Sequence, residues 1–375
     1  MKKYISGKPF ISLFALSFTL LMLIFTFVPV SITTAQNFKC SSDNGKKTTI
    51  DFINQSNHPV SLYSLDKQCN EKLVETIDPG MKVSPNGFIQ QSWRIRDTLK
   101  GWLIKEIILG NKNPTKIVNF DGSTTRSETN RPDDISGYQV QAMYVLPKDG
   151  KDLSLDTNGK IATAVATFQQ WLARQTVGQR LRFDTYQGAL DITFVRLNKT
   201  NEQIKSQGVK VRDIIEEELK SLGFNNPQKL YAVYYGGSSA VSCGAFAWPP
   251  LKIGHVAAIF QDGTFRVGRP CDTKTFASDV NKPGYLELEW IHHILHGLGG
   301  AQKCAPHYVE KRLPGHVSDS PKDLLYEGNQ PWEPSILDQG RNDYYKHNIP
   351  GCYDLAKSVF FDPTDKDAIP PPGWK

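Results

Sequence analysis

Beyond Ala35 the sequence has no apolar run long enough to cross a bilayer, so a membrane span could lie only before that point. No two cysteines stand at the C-x-x-C spacing of a zinc knuckle or a redox pair, which excludes those uses of the thiols. No internal repeat is present, and solenoids and propellers are excluded with it. Net charge is also scarce. Against 38 Asp and Glu stand 44 Lys and Arg, and the formal +6 falls to +3 once Lys2, Lys3 and Lys8 are set aside with a leader that export would remove. Basicity therefore gives no reason to expect a nucleic-acid partner. What is present is the composition of a folded protein: 39% hydrophobic and 22% charged residues over 375 positions, enough chain for more than one core.

The three lysines precede an apolar run from Phe10 to Ile32, and Thr33-Thr34-Ala35 offers the small residues that a signal peptidase reads. Residues 1–35 are expected to be a signal peptide, leaving a secreted chain with no further membrane contact. The run exceeds the ~7–15 residues of an ordinary signal core and reaches the ~20 that span a bilayer, so an uncleaved N-terminal anchor is the alternative. Cysteine use agrees with export, because all six cysteines follow the cleavage position. Pairing neighbours in sequence predicts Cys40 with Cys69, Cys243 with Cys271 and Cys304 with Cys352. Asn54-Gln55-Ser56 and Asn198-Lys199-Thr200 fit the glycosylation pattern of a eukaryotic secretory route.

Residues 40–110 carry the signals of short strands. Ile50 and Phe52 alternate with polar neighbours, as do Val60 and Leu62, and turn chemistry in Asn54-Gln55-Ser56-Asn57-His58-Pro59 between them predicts a hairpin. Asp78-Pro79-Gly80 and Ser84-Pro85-Asn86-Gly87 read as further turns, and Trp93-Arg94-Ile95-Arg96-Asp97 and Trp102-Leu103-Ile104 as further strands. A small all-β sandwich follows. Residues 111–137 are poor in apolar side chains and read as a linker or long surface loop.

The stretches Phe52-Ile53-Asn54-Gln55-Ser56, Val60-Ser61-Leu62-Tyr63, Ile77-Asp78-Pro79-Gly80 and Gln91-Ser92-Trp93-Arg94-Ile95-Arg96-Asp97 resemble, in order and spacing, the β domain of the von Hippel-Lindau family. In that family the sandwich takes hydroxyproline through a Trp that would fall near Ser64 here and a His that would fall near Gln91. Both are replaced, and the helical domain that recruits a ubiquitin ligase has no counterpart. The resemblance thus implies an ancillary or adhesive module, not a hydroxyproline reader.

From residue 138 to 351 the pattern is mixed α and β. Ile161, Val165, Phe168 and Trp171-Leu172 recur at helical spacing, as do Val211, Ile214-Ile215, Leu219 and Leu222 before Gly223. Residues 192–195, 230–235 and 256–260 read as buried strands, which predicts a sheet covered by helices. Residues 352–375 read as a tail, whose run Ile369-Pro370-Pro371-Pro372-Gly373 is expected to be mobile.

The chain has eight histidines, and His292, His293, His296, His307 and His316 crowd into a short stretch. Residues 285–297 read as a helix stopped by Gly297, Gly299 and Gly300. Positions 292 and 296 then share one face, where both imidazoles can reach a single metal ion. On that helix Glu289 lies about 60° from His292 and about 20° from His296, on the same stripe but a turn early. It reads as a hydrogen-bond partner for His292 or an ordinary surface carboxylate.

His292-His293-Ile294-Leu295-His296-Gly297-Leu298-Gly299 is one residue away from H-E-x-x-H-x-x-G. With Cys304-Ala305-Pro306-His307, Gly315-His316-Val317-Ser318-Asp319 and Asp323-Leu324-Leu325-Tyr326 after it, the region resembles the metzincin-like secreted zinc peptidases. The resemblance implies an α+β fold, a zinc ion held by His292, His296 and a third ligand, and a Met-containing turn beneath the metal. The family's usual third position is Gln302 here, so His307 and His316 are the candidates, with Asp319 behind them. The turn's Met would fall at Leu324 or Leu325, and Leu can fill that volume. The general-base Glu, which takes a proton from the attacking water, is replaced by His293. Trp332, Asp338, Arg341-Asn342-Asp343-Tyr344-Tyr345 and His347 are expected to pack around the turn. The expectation is a multidomain protein, an all-β sandwich followed by a metzincin-like domain. It would act as a catalytically degenerate, zinc-binding pseudo-peptidase that takes a peptide or protein ligand. The alternative is an active zinc endopeptidase with His293 or Glu289 as an unusual base.

Overall fold

The computed structural model describes residues 40–41, 45–54, 59–98, 101, 103–109, 116–118, 126–247, 255–263, 271, 276–277, 282–311 and 313–374. The expected signal peptide, Trp102 and residues 55–58 of the first turn lie outside these. Among the described residues no helix is long and apolar enough to cross a membrane. The chain is mixed α and β, and the three disulfides join Cys40 to Cys69, Cys243 to Cys271 and Cys304 to Cys352, as expected.

The N-terminal part contains a four-stranded antiparallel sheet ordered Glu71–Ile77, Val60–Leu65, Ser92–Asp97, Leu103–Ile108. A smaller sheet sets Phe52–Asn54 between Lys82–Val83 and Lys116–Val118. The predicted hairpin is therefore not formed, because Phe52–Asn54 and Val60–Leu65 belong to different sheets and share one core instead of one ladder. Alternation alone cannot tell these two arrangements apart, since both send Phe52, Val60 and Leu62 inward. Asn86 and Gly87 are also strand, not turn, pairing with Lys47–Thr49. The expected linker is partly ordered as well: Lys116–Val118 is the parallel neighbour of Phe52–Asn54, and Arg126 is tied to Asp152 and Asp156.

Strand Ser92–Asp97 is buried on both faces. Trp93 and Ile95 enter the sandwich core with Phe52, Leu62 and Ile77, so Arg94 and Arg96 must point the other way. That other way leads to a charged seam with the rest of the chain. Arg94 meets Glu71, Glu106 and Asp362, Arg96 meets Glu71 and Asp362, and Arg182 meets Glu106. Asp362 and Arg182 come from beyond residue 138, so the sandwich has its own core but is clasped to the second body by buried ion pairs.

The second body is built on a five-stranded sheet ordered Ile192–Arg196, Gln139–Leu146, Lys229–Ser238, Val256–Asp262, Gly244–Ala245. The first four run parallel and the short edge strand runs antiparallel. Parallel strands are covered on both sides, and the residues alternate accordingly. Ala142, Tyr144, Ala232, Tyr234, Ala257 and Ile259 face helices Lys160–Thr176 and Tyr285–Gly297, while Met143, Val145, Val233, Tyr235, Ala258 and Phe260 face helix Val211–Ser221. The tail is packed, and so is its run 369–373, expected to be mobile: Ile369 N–H donates to the Lys357 carbonyl and Trp374 N–H to that of Pro371. Phe361 pairs with Leu181, and Trp374 stacks on His255 at 4.3 Å and donates to the Gly297 carbonyl at 3.2 Å. The Pro-rich run concealed an aromatic anchor.

Candidate metal centre

Helix Tyr285–Gly297 owes its start to Glu287, whose buried carboxylate accepts from the backbone N–H groups of Gly284 and Ala277. Leu286, Trp290, Ile291, Ile294 and Leu295 fix its rotation by entering the main core. Gly299, at φ +85°, ends it in a conformation that disfavours any side chain. With the apolar stripe committed to the core, His292 and His296 emerge together one turn apart, both buried.

The third imidazole is that of His316. Its backbone carbonyl accepts from Val309 in a short ribbon whose isolated bridge joins Tyr308 to Val317. The three Nε2 atoms stand in a nearly equilateral triangle: 3.0 Å from His292 to His296, 3.1 Å from His296 to His316 and 3.2 Å from His316 to His292. Nδ1 of His292 lies 2.6 Å from the Leu324 carbonyl and Nδ1 of His316 lies 3.1 Å from the Leu313 carbonyl. A carbonyl only accepts, so both rings carry their proton on Nδ1, and when neutral they present bare lone pairs at Nε2. Burial, followed by the neighbouring imidazoles, holds His292 and His296 well below the usual histidine range, so both are neutral.

Two lone pairs facing each other at 3.2 Å repel, and the single ring proton left to His296 can satisfy only one of its two contacts. A cation at the centre of the triangle resolves this. Tetrahedral ligation with metal–nitrogen bonds of about 2.0–2.1 Å sets nitrogens about 3.3 Å apart, close to the observed spacing. The donor set is therefore one that could hold a metal ion.

His293 takes the position where the resemblance calls for Glu. Its Nε2 lies 3.1 Å from Glu289 Oε1, while its Nδ1 is buried without a hydrogen-bond partner. Glu289 thus meets His293, not His292. The His293 ring is covered by Gly244 of the edge strand, where a Cβ would come within 2.2 Å of it. Phe246, two residues on, stacks on His296 at 4.1 Å with only 11° between the planes. Nothing in the sequence pointed to Phe246, because the edge strand reaches the helix only through the sheet.

The turn Asp323–Tyr326 lies against the triad as expected, with Leu324 and Leu325 fully buried. Its Leu324 carbonyl also accepts from Trp332 Nε1 at 3.1 Å. Asp323 shapes the turn: its carboxylate accepts from the backbone N–H groups of Leu325 and Gln339 and from the Tyr344 hydroxyl. Asp338 accepts from the backbone of Tyr344 and Tyr345 and so fixes the next loop.

His307 is not in the triad. Its backbone N–H and Nδ1 both lie 2.9 Å from Asp343 oxygens, and the Asp343 carboxylate raises its pKa. With Asp319 these residues form a second group that could hold an ion. His307 already has a partner there in Asp343, at 2.9 Å. Gln302 bonds the Gly299 and Gly300 carbonyls, His347 contacts the Tyr353 carbonyl, and Gln91 accepts from Phe88 in its own turn. Ser64 sits across from Trp93 in the four-stranded sheet. No family model matches the chain, and no curated protein matches it.

Proposed function

We propose that the chain is an exported, metzincin-like protein that holds one zinc ion through His292, His296 and His316 and acts by binding a peptide or protein ligand, with hydrolysis lost. The convergence of three buried imidazole nitrogens carries this reading. Three nitrogens at tetrahedral spacing suit zinc over calcium or magnesium, which take oxygen ligands. When bound, the ion supplies a Lewis-acidic centre for a ligand oxygen. The Leu324 and Leu313 carbonyls hold two of the imidazoles in the tautomer that binds. His293, tied to Glu289 and covered by Gly244, does not offer the carboxylate that proton transfer from water calls for. Three disulfides support export.

A second reading, an active peptidase, draws on one observation. Glu289 orients His293 and leaves its Nδ1 unpaired, which is the arrangement of an oriented general base. Metal analysis of purified protein, paired with a broad peptide-library assay, separates the readings. About one zinc per chain, lost in the His292→Ala/His296→Ala double variant, with no cleavage, supports the first. Zinc-dependent cleavage that His293→Ala abolishes establishes the second. Full metal content in the double variant rejects both.

A further inference from the structure

At the seam between the sandwich and the second body lies a cleft of about 380 Å³, open on one side and walled by Tyr63, Arg96 and Gly101 from the first and Arg174 and Arg180 from the second. One carboxylate, Asp97, also lines it, and the acids behind the Arg96 wall are already engaged. Glu71, Glu106 and Asp362 pair with Arg94, Arg96 and Arg182, three acids against three guanidinium groups. Arg180 stands outside that exchange. Among the described residues no carboxylate forms a salt bridge with it, Glu71 acts on it only through space, its Nη1 donates only to the Gly178 carbonyl at 3.3 Å, and its Nε has no hydrogen-bond partner.

The surroundings favour an anion. Burial and the adjacent Arg96 charge outweigh the opposing pull of Glu71 and bring the Arg180 pKa down to about 10, the direction expected of a cation without a close counter-charge. Gly101, at φ +75°, lets the loop backbone lie against this guanidinium, where a Cβ would stand 3.2 Å from Nε. Helix Lys160–Thr176 ends beside the cleft, and its C-terminal partial charge would oppose an anion. Those carbonyls are occupied, though: Thr176 Oγ1 donates to Leu172, Gly178 N–H to Ala173 and Arg341 to Gln175. Among the described lining residues Arg96, Arg174 and Arg180 thus face a single carboxylate, Asp97.

We propose that this cleft binds a tetrahedral oxyanion, a phosphate or sulfate group, against Arg180 with Arg174 and Arg96 beside it. A planar guanidinium matches two oxygens of such a group. Because the walls come from both bodies, the anion would also tighten the seam.

Thermal unfolding of the whole exported chain in sodium phosphate, sodium sulfate and sodium chloride at equal ionic strength tests this, beside Arg180→Met and Arg180→Lys. Wild type is expected to gain about 3 °C over chloride when phosphate stands at about tenfold its Kd. Arg180→Met should lose that gain, and Arg180→Lys, which keeps the charge without the fork, should bind more weakly by calorimetry. Sulfate stabilises proteins without binding, so the variants, not the salt series alone, carry the result. An equal gain in all three proteins overturns the proposal, as does no gain in wild type. If Arg180→Met does not fold, equal affinity of wild type and Arg180→Lys for inorganic phosphate overturns it. A sugar phosphate that binds more tightly than inorganic phosphate assigns the group to a larger ligand, and one that binds no more tightly assigns it to the free ion.

Discussion

Nδ1 of His292 lies 2.6 Å from the Leu324 carbonyl oxygen, and this contact decides which ring nitrogen turns toward His296 and His316. The turn beneath the triad acts through its backbone. A carbonyl is the same whether the side chain is Met or Leu, so this contact does not depend on which of them occupies the turn.

Leu324→Met should therefore leave metal content unchanged and alter stability by less than about 1.5 kcal/mol, the range of a volume-conserving core exchange. Metal analysis and urea denaturation check it. Loss of metal in this variant would show that the side chain, not the carbonyl, supports His292.

His316 and His307 were equal candidates by sequence, and the structure separates them. His316→Ala should weaken zinc binding by more than the ~10–100-fold typical of an outer-shell loss, while His307→Ala should leave it intact. Competition with a chromophoric chelator reads both. The opposite ranking would move the centre to the group formed by His307, Asp319 and Asp343.

Much of this was legible. Helical periodicity placed residues 285–297 because Trp290, Ile291, Ile294 and Leu295 share the core stripe and three glycines follow. Cysteine neighbours paired as expected because each short loop folds back within one body. The partner of Phe52–Asn54 was not legible, since an inward-facing residue looks the same in either sheet of a sandwich. Nor was the seam, because Arg94 and Arg96 alternate with Trp93 and Ile95 as solvent-facing residues would. The carboxylate that meets them, Asp362, lies far along the chain, in a tail outside both expected domains.

The Cys304–Cys352 disulfide closes a loop of 48 residues that holds His307, His316 and the Leu324 turn. Chain entropy gives such a closure about 4 kcal/mol. Cys304→Ser/Cys352→Ser should lose about 2–4 kcal/mol in urea and lower zinc affinity, because an unclosed loop must be ordered by the ion itself. A variant as stable as wild type would mean that the packing of Trp374 and Phe361 already orders this region.

The seam should loosen in acid. Burial alone would raise Glu71 and Glu106, but Arg96 and Arg94 for the first, and Arg182 and Arg94 for the second, outweigh it and leave both lowered. Each then binds protons less readily folded than unfolded. Its contribution is present above the unfolded value of about 4.3 and is lost as pH falls through the lower, folded one. Glu106→Gln should cost about 3–5 kcal/mol at pH 7, because Arg94 and Arg182 are left short of a buried partner. The gap from wild type should narrow as pH falls below about 4.3. A gap in urea stability that stays constant across that range would exclude the carboxylates as its source.

Placing a carboxylate at position 293 tests whether the proposed centre lacks only a general base. His293→Glu by itself places a second carboxylate within reach of Glu289, in a buried position where two like charges repel. The informative protein is therefore Glu289→Gln/His293→Glu, in which Gln can donate to the new carboxylate and hold it. If the triad holds zinc and the cleft admits a peptide, cleavage should rise by about 10²–10⁴ over wild type, the usual worth of general acid–base help. His293→Ala serves as the control, since it removes the imidazole and opens space beneath Gly244 without supplying a base. Equal, measurable rates in wild type and the double variant would make His293 itself the working base, paired with Glu289. No cleavage in any of them, with zinc bound in all, would leave the stack of Phe246 on His296 as the next obstacle, and Phe246→Ala in the same background decides whether that ring closes the centre to substrate.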